Sequence, residues 1–343
     1  SRGLGDVYKR QSRRGYSLRG GIRAAEWRLW GACSYKWAYL PSHIMAVIPC
    51  PMGHTCRPRR AHFATIHRLE DSIVPYNISF ISLGCAKNQV NCEQMMASVQ
   101  AAGHTIQAQP EGADVVVVNT CGFLQSACEE AIDNILEMAE LKRSGQVKKI
   151  LVTGCMTQRY KQDVLNELPE VDGILGTGSY GDICAAIDEV MGASGLRPCH
   201  LGSIHTAPQD GGRILSTPPW YAYLRIAEGC DNHCAYCVIP SLRGKYRSRP
   251  MEGLLEEARE LADAGVKELL VIAQDITRYG TDLNGEHQLA SLLRELCRLD
   301  FHWVRLHYLY PDEITEELID TIAEEPKIVK YLDTVSYTHL TLP

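Results

Sequence analysis

Cys230, Cys234 and Cys237 lie close together in EGCDNHCAYC (228–237). Thiolates are the usual ligands of iron–sulfur clusters. Three of them hold three irons of a 4Fe-4S cluster and leave the fourth open to a small molecule, whereas a structural cluster would normally be closed by a fourth Cys. The missing ligand is therefore the functional signal. A zinc knuckle is the competing reading, because zinc takes four such ligands. His233 is the available fourth, but it directly precedes Cys234 and is poorly placed to wrap the same ion.

A second trio is dispersed. Cys85, Cys121 and Cys155 occur in SLGCAKNQ, NTCGF and VTGCM, at intervals of 36 and 34 residues. Each follows a hydrophobic strand pattern, so one Cys per β/α repeat should gather at one edge of one parallel sheet. Three thiolates meeting there can carry a second 4Fe-4S cluster with an open iron. Gly84, Gly122 and Gly154 would let the backbone come close to it. The other eight cysteines (Cys33, Cys50, Cys56, Cys92, Cys128, Cys184, Cys199 and Cys297) are read as small buried hydrophobes, the ordinary role of a free Cys.

The elements that must position these loops are legible. ISFISL (78–83) is a strand, and Asn88 opens a helical stretch closed by Gly103. DVVVVNT (114–120) is a β-branched run suited to a strand buried on both faces. A helix follows to about Leu141, then the strand KKILVTG (148–154) and another helix. GILGTG (173–178) is a fourth strand, followed by the helix around DICAAIDEV. The alternation restarts with strands at 221–229, 267–275, 303–309 and 328–333 and helices near 251–264, 288–298 and 313–324. Strands alternating with helices imply an α/β fold with parallel sheets, and the second series reads as β/α-barrel units, whose post-strand loops build active sites. The expected organisation is an extension over 1–76, an N-terminal domain over 77–193, a Gly/Pro/Ser/His-rich linker over 194–219, a partial barrel over 220–334 and a tail over 335–343.

Composition sets the class. Hydrophobic residues make up 45% and charged residues 22% of 343, ordinary for a soluble globular chain. No apolar run is long enough for a membrane span and no secretory signal is visible, so the expected location is cytoplasmic, without a membrane partner. Fourteen cysteines in a reducing compartment point to metal or redox chemistry rather than disulfides. Residues 1–70 carry 13 Lys/Arg against 3 Asp/Glu, and the remainder 22 against 38. So acidic a body is not a free-standing nucleic-acid binder. The basic extension has three readings: an Arg-rich targeting peptide, an RNA-binding arm, or, preferred here, upstream sequence foreign to the folded protein.

The C-x3-C-x2-C run, with an aromatic before its last Cys, is similar to the radical S-adenosylmethionine (SAM) signature. Two open cluster sites together resemble the methylthiotransferases of that superfamily. The resemblance covers about residues 77–334, and its strongest pieces are SLGCAKNQ, VVVVNTCGF, EGCDNHCAYCVIP, RGKYRSRP and LVIAQDITRYG. It implies an N-terminal parallel α/β methylthiotransferase domain, with an auxiliary cluster on Cys85, Cys121 and Cys155. A radical SAM (β/α) partial barrel follows, with its cluster on Cys230, Cys234 and Cys237. The open iron of the second would bind SAM, with Tyr236 beside the adenine. Gln274 and Asp275 end a barrel strand and could hold the ribose hydroxyls or methionine ammonium; a helix-capping Asp is the plainer role. Arg243, Arg247 and Arg249 could bind the SAM carboxylate or an acidic substrate loop, or be surface charge. The roles of Arg305 and His307 stay open.

AQDITRYGTD (273–282), NTCGFLQSA (119–127) and WVRLHYLYPDEITEELI (303–319) resemble the RimO-type branch, which modifies a ribosomal protein. The implied reaction places a methylthio group on the β-carbon of one aspartate of ribosomal protein S-twelve of the small subunit, using two SAM. One SAM would methylate a sulfide on the auxiliary cluster; the other would be split to a radical that removes hydrogen from the unactivated carbon. A reductant such as flavodoxin or ferredoxin would supply electrons. The alternatives are a tRNA adenosine methylthiotransferase of the MiaB-like branch and a non-enzymatic iron–sulfur electron-transfer protein. Family members usually continue YLD with an Ile-Pro-Leu-Gln-His-type segment and a C-terminal TRAM domain, whereas here YLDT runs into VSYTHLTLP. The expectation is a barrel cut short, a foreign tail and an exposed sheet edge near 328–333.

Overall fold

A computed structural model describes residues 75–192, 195, 197–208 and 211–334. The readings for 1–74 and for the tail 335–343 lie outside the described residues. Two parallel sheets organise the rest and belong to one compact unit.

The first sheet has six strands: β1 (Asn77–Ser82), β2 (Thr105–Gln107), β3 (Val115–Thr120), β4 (Lys149–Gly154), β5 (Gly173–Leu175) and β6 (Cys199–His200). Their order is β2-β1-β3-β4-β5-β6 and every pairing is parallel. The crossovers are α1 (Ala86–Ala101), α2 (Gln125–Arg143), α3 (Cys155–Tyr160), α4 (Gln162–Glu167) and α5 (Ile183–Met191). All six residues of β3 are buried. Its period of two explains the run of valines: Val116 and Val118 pack with α2 residues such as Ile132 and Ile135, while Val115 and Val117 face Met95 of α1 and Ile187 of α5.

The second sheet contains β7 (Tyr221–Arg225), β10 (Glu268–Ile272), β11 (Trp303–Leu309) and β12 (Ile328–Thr334), again all parallel, in the order β12-β11-β10-β7. A small antiparallel pair, β8 (Ala227–Glu228) with β9 (Arg247–Ser248), brackets the Cys230–Cys237 loop. The helices are α6 (Ile239–Arg243), α7 (Met251–Asp263), α8 (Thr281–Asn284), α9 (Leu289–Cys297) and α10 (Glu316–Glu324). Leu269 and Val271 of β10 pack with Leu254 of α7 and Leu292 of α9 in the larger core. Among the described residues β12 lies at the sheet edge, with Tyr331 and Leu332 exposed.

The opposite face of β10 is covered by the N-terminal half of α1. Leu270 and Ile272 pack with Val90, with Ala86, Tyr221, Tyr223 and Tyr308 around them. One helix thus serves two sheets, which explains its composition. Met95 and Val99 face its own sheet, while Lys87, Asn88, Asn91, Glu93 and Gln94 are also buried. The apolar stripe expected of a surface helix is absent because little of this helix faces water.

The structure departs from the sequence reading at several points. The first helix starts at Ala86, not Asn88, with Cys85 at its N-cap position. GILGTG contributes only Gly173–Leu175. Within the stretch read as linker, Cys199–His200 pairs with β5 as a sixth strand. The short β2, β6 and β9 carry too few residues to show a period.

Gly154 ends β4 with φ +104, and a Cβ there would press on the Thr120 backbone and Asn119 Oδ1. Gly154→Ala is expected to cost roughly 2–4 kcal/mol from strained backbone and overpacking, read as a lower midpoint in urea unfolding with an unchanged slope.

Candidate active site

The first cysteine trio occupies one edge of the first sheet. Cys85 follows β1, Cys121 follows β3 and Cys155 follows β4, three adjacent strands. Their loops nest closely. A Cβ on Gly84 would lie 2.8 Å from Cβ of Cys121, and one on Gly122 would lie 2.6 Å from the Cys155 carbonyl carbon. Asn88 ties the loops together: its Nδ2 donates to the Thr120 carbonyl at 2.9 Å and the Leu83 carbonyl at 3.2 Å, while Asn119 Nδ2 donates to the Asn88 carbonyl at 2.7 Å.

Two cations serve this edge. Lys87 is buried, donates to the Ala273 carbonyl at 3.3 Å, and sits 3.4 Å above the Tyr308 ring. Arg243 reaches over from the other sheet and donates to Cys155 Sγ at 3.4 Å. Burial works to raise the Cys85 thiol, but Lys87, Arg243 and the backbone N–H groups of Asn88 and Lys87 together outweigh it and hold the pKa below the usual value. At Cys155 burial wins and the thiol is raised, with Arg243 opposing. Cys85 and Cys121 both act electrostatically on Cys155.

The second trio lies where β8 runs into the loop before α6. Cys230 N donates to the Gly244 carbonyl at 3.1 Å and Cys237 N to the Cys234 carbonyl at 2.9 Å. Gly229 has φ +81, and a Cβ there would collide with the Lys245 carbonyl oxygen; His233 also has positive φ. Burial raises Cys230 and Cys237, each further raised by neighbouring thiols. Among the described residues no three His, Cys, Asp or Glu side chains are already closed to chelating geometry; the fold brings each trio to one loop edge. The donors nevertheless suit an iron–sulfur cluster: thiols in two sets of three, cations beside one set, and unpartnered buried acceptors, Asn232 Oδ1 and Gln274 Oε1, beside the other.

The remaining candidates divide. Tyr236 is 44% exposed on the cysteine loop. Gln274 donates to Glu228 Oε1 at 2.7 Å, and its own Oε1 is buried without a hydrogen-bond partner. Asp275 is fully engaged: Oδ2 accepts from Asn232 Nδ2 at 2.9 Å, and Oδ1 accepts from Thr277 N at 3.0 Å. It fastens the β10 end to the cysteine loop. Arg243 is 3% exposed and spends its donors on Asn91, Glu228, Asn88 and Cys155. Arg247 donates to the backbone carbonyls of Thr206 at 2.8 Å and Arg243 at 3.1 Å. Arg249 pairs with Glu257 at 2.7 Å; Arg305 pairs with Glu268 at 2.6 Å. His307 lies 3.8 Å from Asp333, and burial lowers its pKa.

Sequence reasoning missed Lys87, Asn88, Asn91, Arg225 and Glu228. Glu228 accepts from Arg225 at 3.1 Å and Arg243 at 3.0 Å, and Arg225 Nη2 donates to Gln94 at 3.0 Å. A cavity of about 70 Å³ opens here, lined by Asn91, Tyr180, Arg225, Glu228, Arg243 and Arg247. The available signal was the run of polar residues on a helix that should have been amphipathic.

The family model described as "Uncharacterized protein family UPF0004" matches residues 77–176, and the Radical SAM superfamily model matches residues 224–338. The ribosomal protein uS12 methylthiotransferase RimO of Lachnoclostridium phytofermentans is 49% identical over 261 residues, covering 75% of this chain and 58% of that protein. The RimO of Clostridioides difficile is 48% identical over 258 residues, with coverage of 75% and 58%. The chain is thus similar to RimO proteins over three quarters of its own length, and its second part matches the Radical SAM superfamily. It spans about 58% of the length of the RimO relatives it matches. Among solved structures, the radical S-adenosylmethionine methyltransferase TsrM from Kitasatospora setae superposes with a TM-score of 0.52 at 13% identity, over 72% of this chain and 57% of that one. At that identity the likeness concerns the fold, and it agrees with the α/β reading.

In the metal-free protein, the alkylation rate of Cys85 is expected to rise with pH about a midpoint below 9.0, because a lowered pKa supplies thiolate earlier. Lys87→Met should move that midpoint up. Cys92, pushed up to about 12 by burial, should stay unreacted over the same range. Peptide mass spectrometry after timed iodoacetamide exposure reads all of these.

Proposed function

We propose that this chain carries the catalytic core of a RimO-type enzyme that methylthiolates the β-carbon of an aspartate of ribosomal protein uS12. Cys230, Cys234 and Cys237 hold the radical-generating 4Fe-4S cluster, and Cys85, Cys121 and Cys155 hold the auxiliary one. The observation that carries this reading is the placement of Cys85, Cys121 and Cys155 after three adjacent strands of the first sheet, and of Cys230, Cys234 and Cys237 just beyond β7 and β8, with Arg243 following one trio in sequence and touching a thiol of the other. A cluster held by Cys230, Cys234 and Cys237 would supply the electron that splits SAM and so makes an unactivated C–H bond reactive.

The chain's own residues do the placing. Asp275, through Asn232, fixes the cysteine loop against the end of β10. Gln274, anchored by Glu228, presents an unpartnered oxygen suited to the SAM ammonium or a ribose hydroxyl. Tyr236 offers a ring to the adenine from the exposed side of the loop. Arg247, held by backbone carbonyls, keeps a positive charge near the SAM carboxylate. Both trios thus share one rigid frame, as a reaction joining a carbon radical to a sulfur donor needs. A flavodoxin- or ferredoxin-type reductant supplies the electrons, and the cytoplasm, where ribosomes assemble, is the fitting location. No helix among the described residues is long and apolar enough to cross a membrane.

Two clusters predict about eight irons per chain after anaerobic reconstitution, falling to about four when Cys85, Cys121 and Cys155 are replaced together by Ala. About four in the parent, unchanged by the triple replacement, would sink the two-cluster reading. Incubation with uS12, SAM and a reductant should add a methylthio group to one aspartate, read by peptide mass spectrometry; a thiomethylated adenosine in tRNA instead would move the protein to the other branch.

A further inference from the structure

We propose that Arg243 is a positioning residue that couples the two cysteine sites, holding the Cys155 ligand side of the auxiliary cluster under a fixed positive charge that Glu228 in turn anchors from the radical domain. Arg243 ends α6, six residues after Cys237, so it belongs in sequence to the radical loop. Its guanidinium nevertheless lies against the other sheet. Nη1 donates to Asn91 Oδ1 and to Glu228 Oε2, each at 3.0 Å. Nη2 donates to Asn88 Oδ1 and to Cys155 Sγ. The side chain is 3% exposed, so water does not screen these contacts as it would at a surface.

The other partners make the arrangement rigid. Asn88 is itself clamped to the Leu83 and Thr120 carbonyls, which set the Cys85 and Cys121 loops. Glu228 lies two residues before Cys230 and also accepts from Arg225 and Gln274. A chain of contacts therefore runs from Cys155 through Arg243 to Glu228 and the start of the radical loop. Only a guanidinium has enough donors in a fixed plane to meet all four acceptors. A fixed cation beside a cluster ligand stabilises the added electron, so it raises the cluster's reduction potential; the carboxylate of Glu228 acts with the opposite sign.

The inference rests on the reading that Cys85, Cys121 and Cys155 hold a cluster. The experiment uses the full chain with Cys230, Cys234 and Cys237 replaced by Ala, so that only the auxiliary cluster can be present. Absence of iron in that background overturns the underlying reading and the coupling with it. With iron present, the midpoint potential is read by EPR-monitored titration. Arg243→Gln is expected to make it more negative, Arg243→Lys to return it toward the parent value, and Glu228→Gln to make it more positive. Opposite signs are the signature of charge, because a merely structural lesion would move both neutralising variants in the same direction. Should Arg243→Gln not fold, the positive shift in Glu228→Gln carries the test alone. Unchanged potentials with iron retained, or shifts of one sign in both neutralising variants, would overturn the proposal while leaving the two-cluster reading intact.

Discussion

The structure depends on a small group of charges buried between the two sheets. Arg225, Glu228 and Arg243 come from the radical domain, and Asn88, Asn91 and Gln94 from α1 of the other. Such a group is costly to desolvate and gains little net stability over an apolar interface. Its contribution is register. Polar partners with fixed directions allow one docking of α1 on the second sheet, where a greasy patch would tolerate several. Removing one member would leave the others charged and dry, the expensive outcome.

That register serves the cysteines. Cys85 is the N-cap residue of α1, so wherever α1 docks, the edge that carries Cys85, Cys121 and Cys155 follows. Cys230 begins two residues after Glu228, so whatever fixes Glu228 fixes the radical loop. A second set of ions repeats the device farther along the same helix. Glu93 accepts from Ser216 at 2.9 Å and from Arg213 at 3.2 Å, and Arg213 also pairs with Glu257 of α7 at 3.0 Å. The segment entering the second sheet is thereby sewn to both sides. Val90, among Leu270, Ile272 and the tyrosines, supplies the apolar part of the contact.

Glycine completes the first edge. Three strand-end loops can nest only where the backbone passes without side chains, as Gly84, Gly122 and Gly154 allow. The same loops leave the thiols in unlike electrostatic surroundings. Cys85, with Lys87 close by, is eased toward its thiolate, while Cys155, buried deeper, is not.

Much of this was written in the linear chain. The spacing of Cys230, Cys234 and Cys237 is local, and a local spacing survives folding. Cys85, Cys121 and Cys155 were legible because each ends a β-branched run, and parallel strands place their ends on one edge whatever packs around them. The strand–helix alternation followed from hydrophobic period alone, and failed where an element was too short to show one: the strands of two or three residues, and the helices Ile239–Arg243 and Thr281–Asn284. What the sequence could not decide was which side chains face which. Arg243 in RGKYRSRP and Asp275 at a strand end could be singled out by residue type and place in the chain. Their protein partners, Glu228, Asn88, Asn232 and Thr277, could not. These contacts join residues that are mostly far apart in sequence, and only the docking of α1 on the second sheet and the closing of the loops bring them together. The period of a helix encodes that it has a buried face; what it is buried against is a property of the tertiary structure.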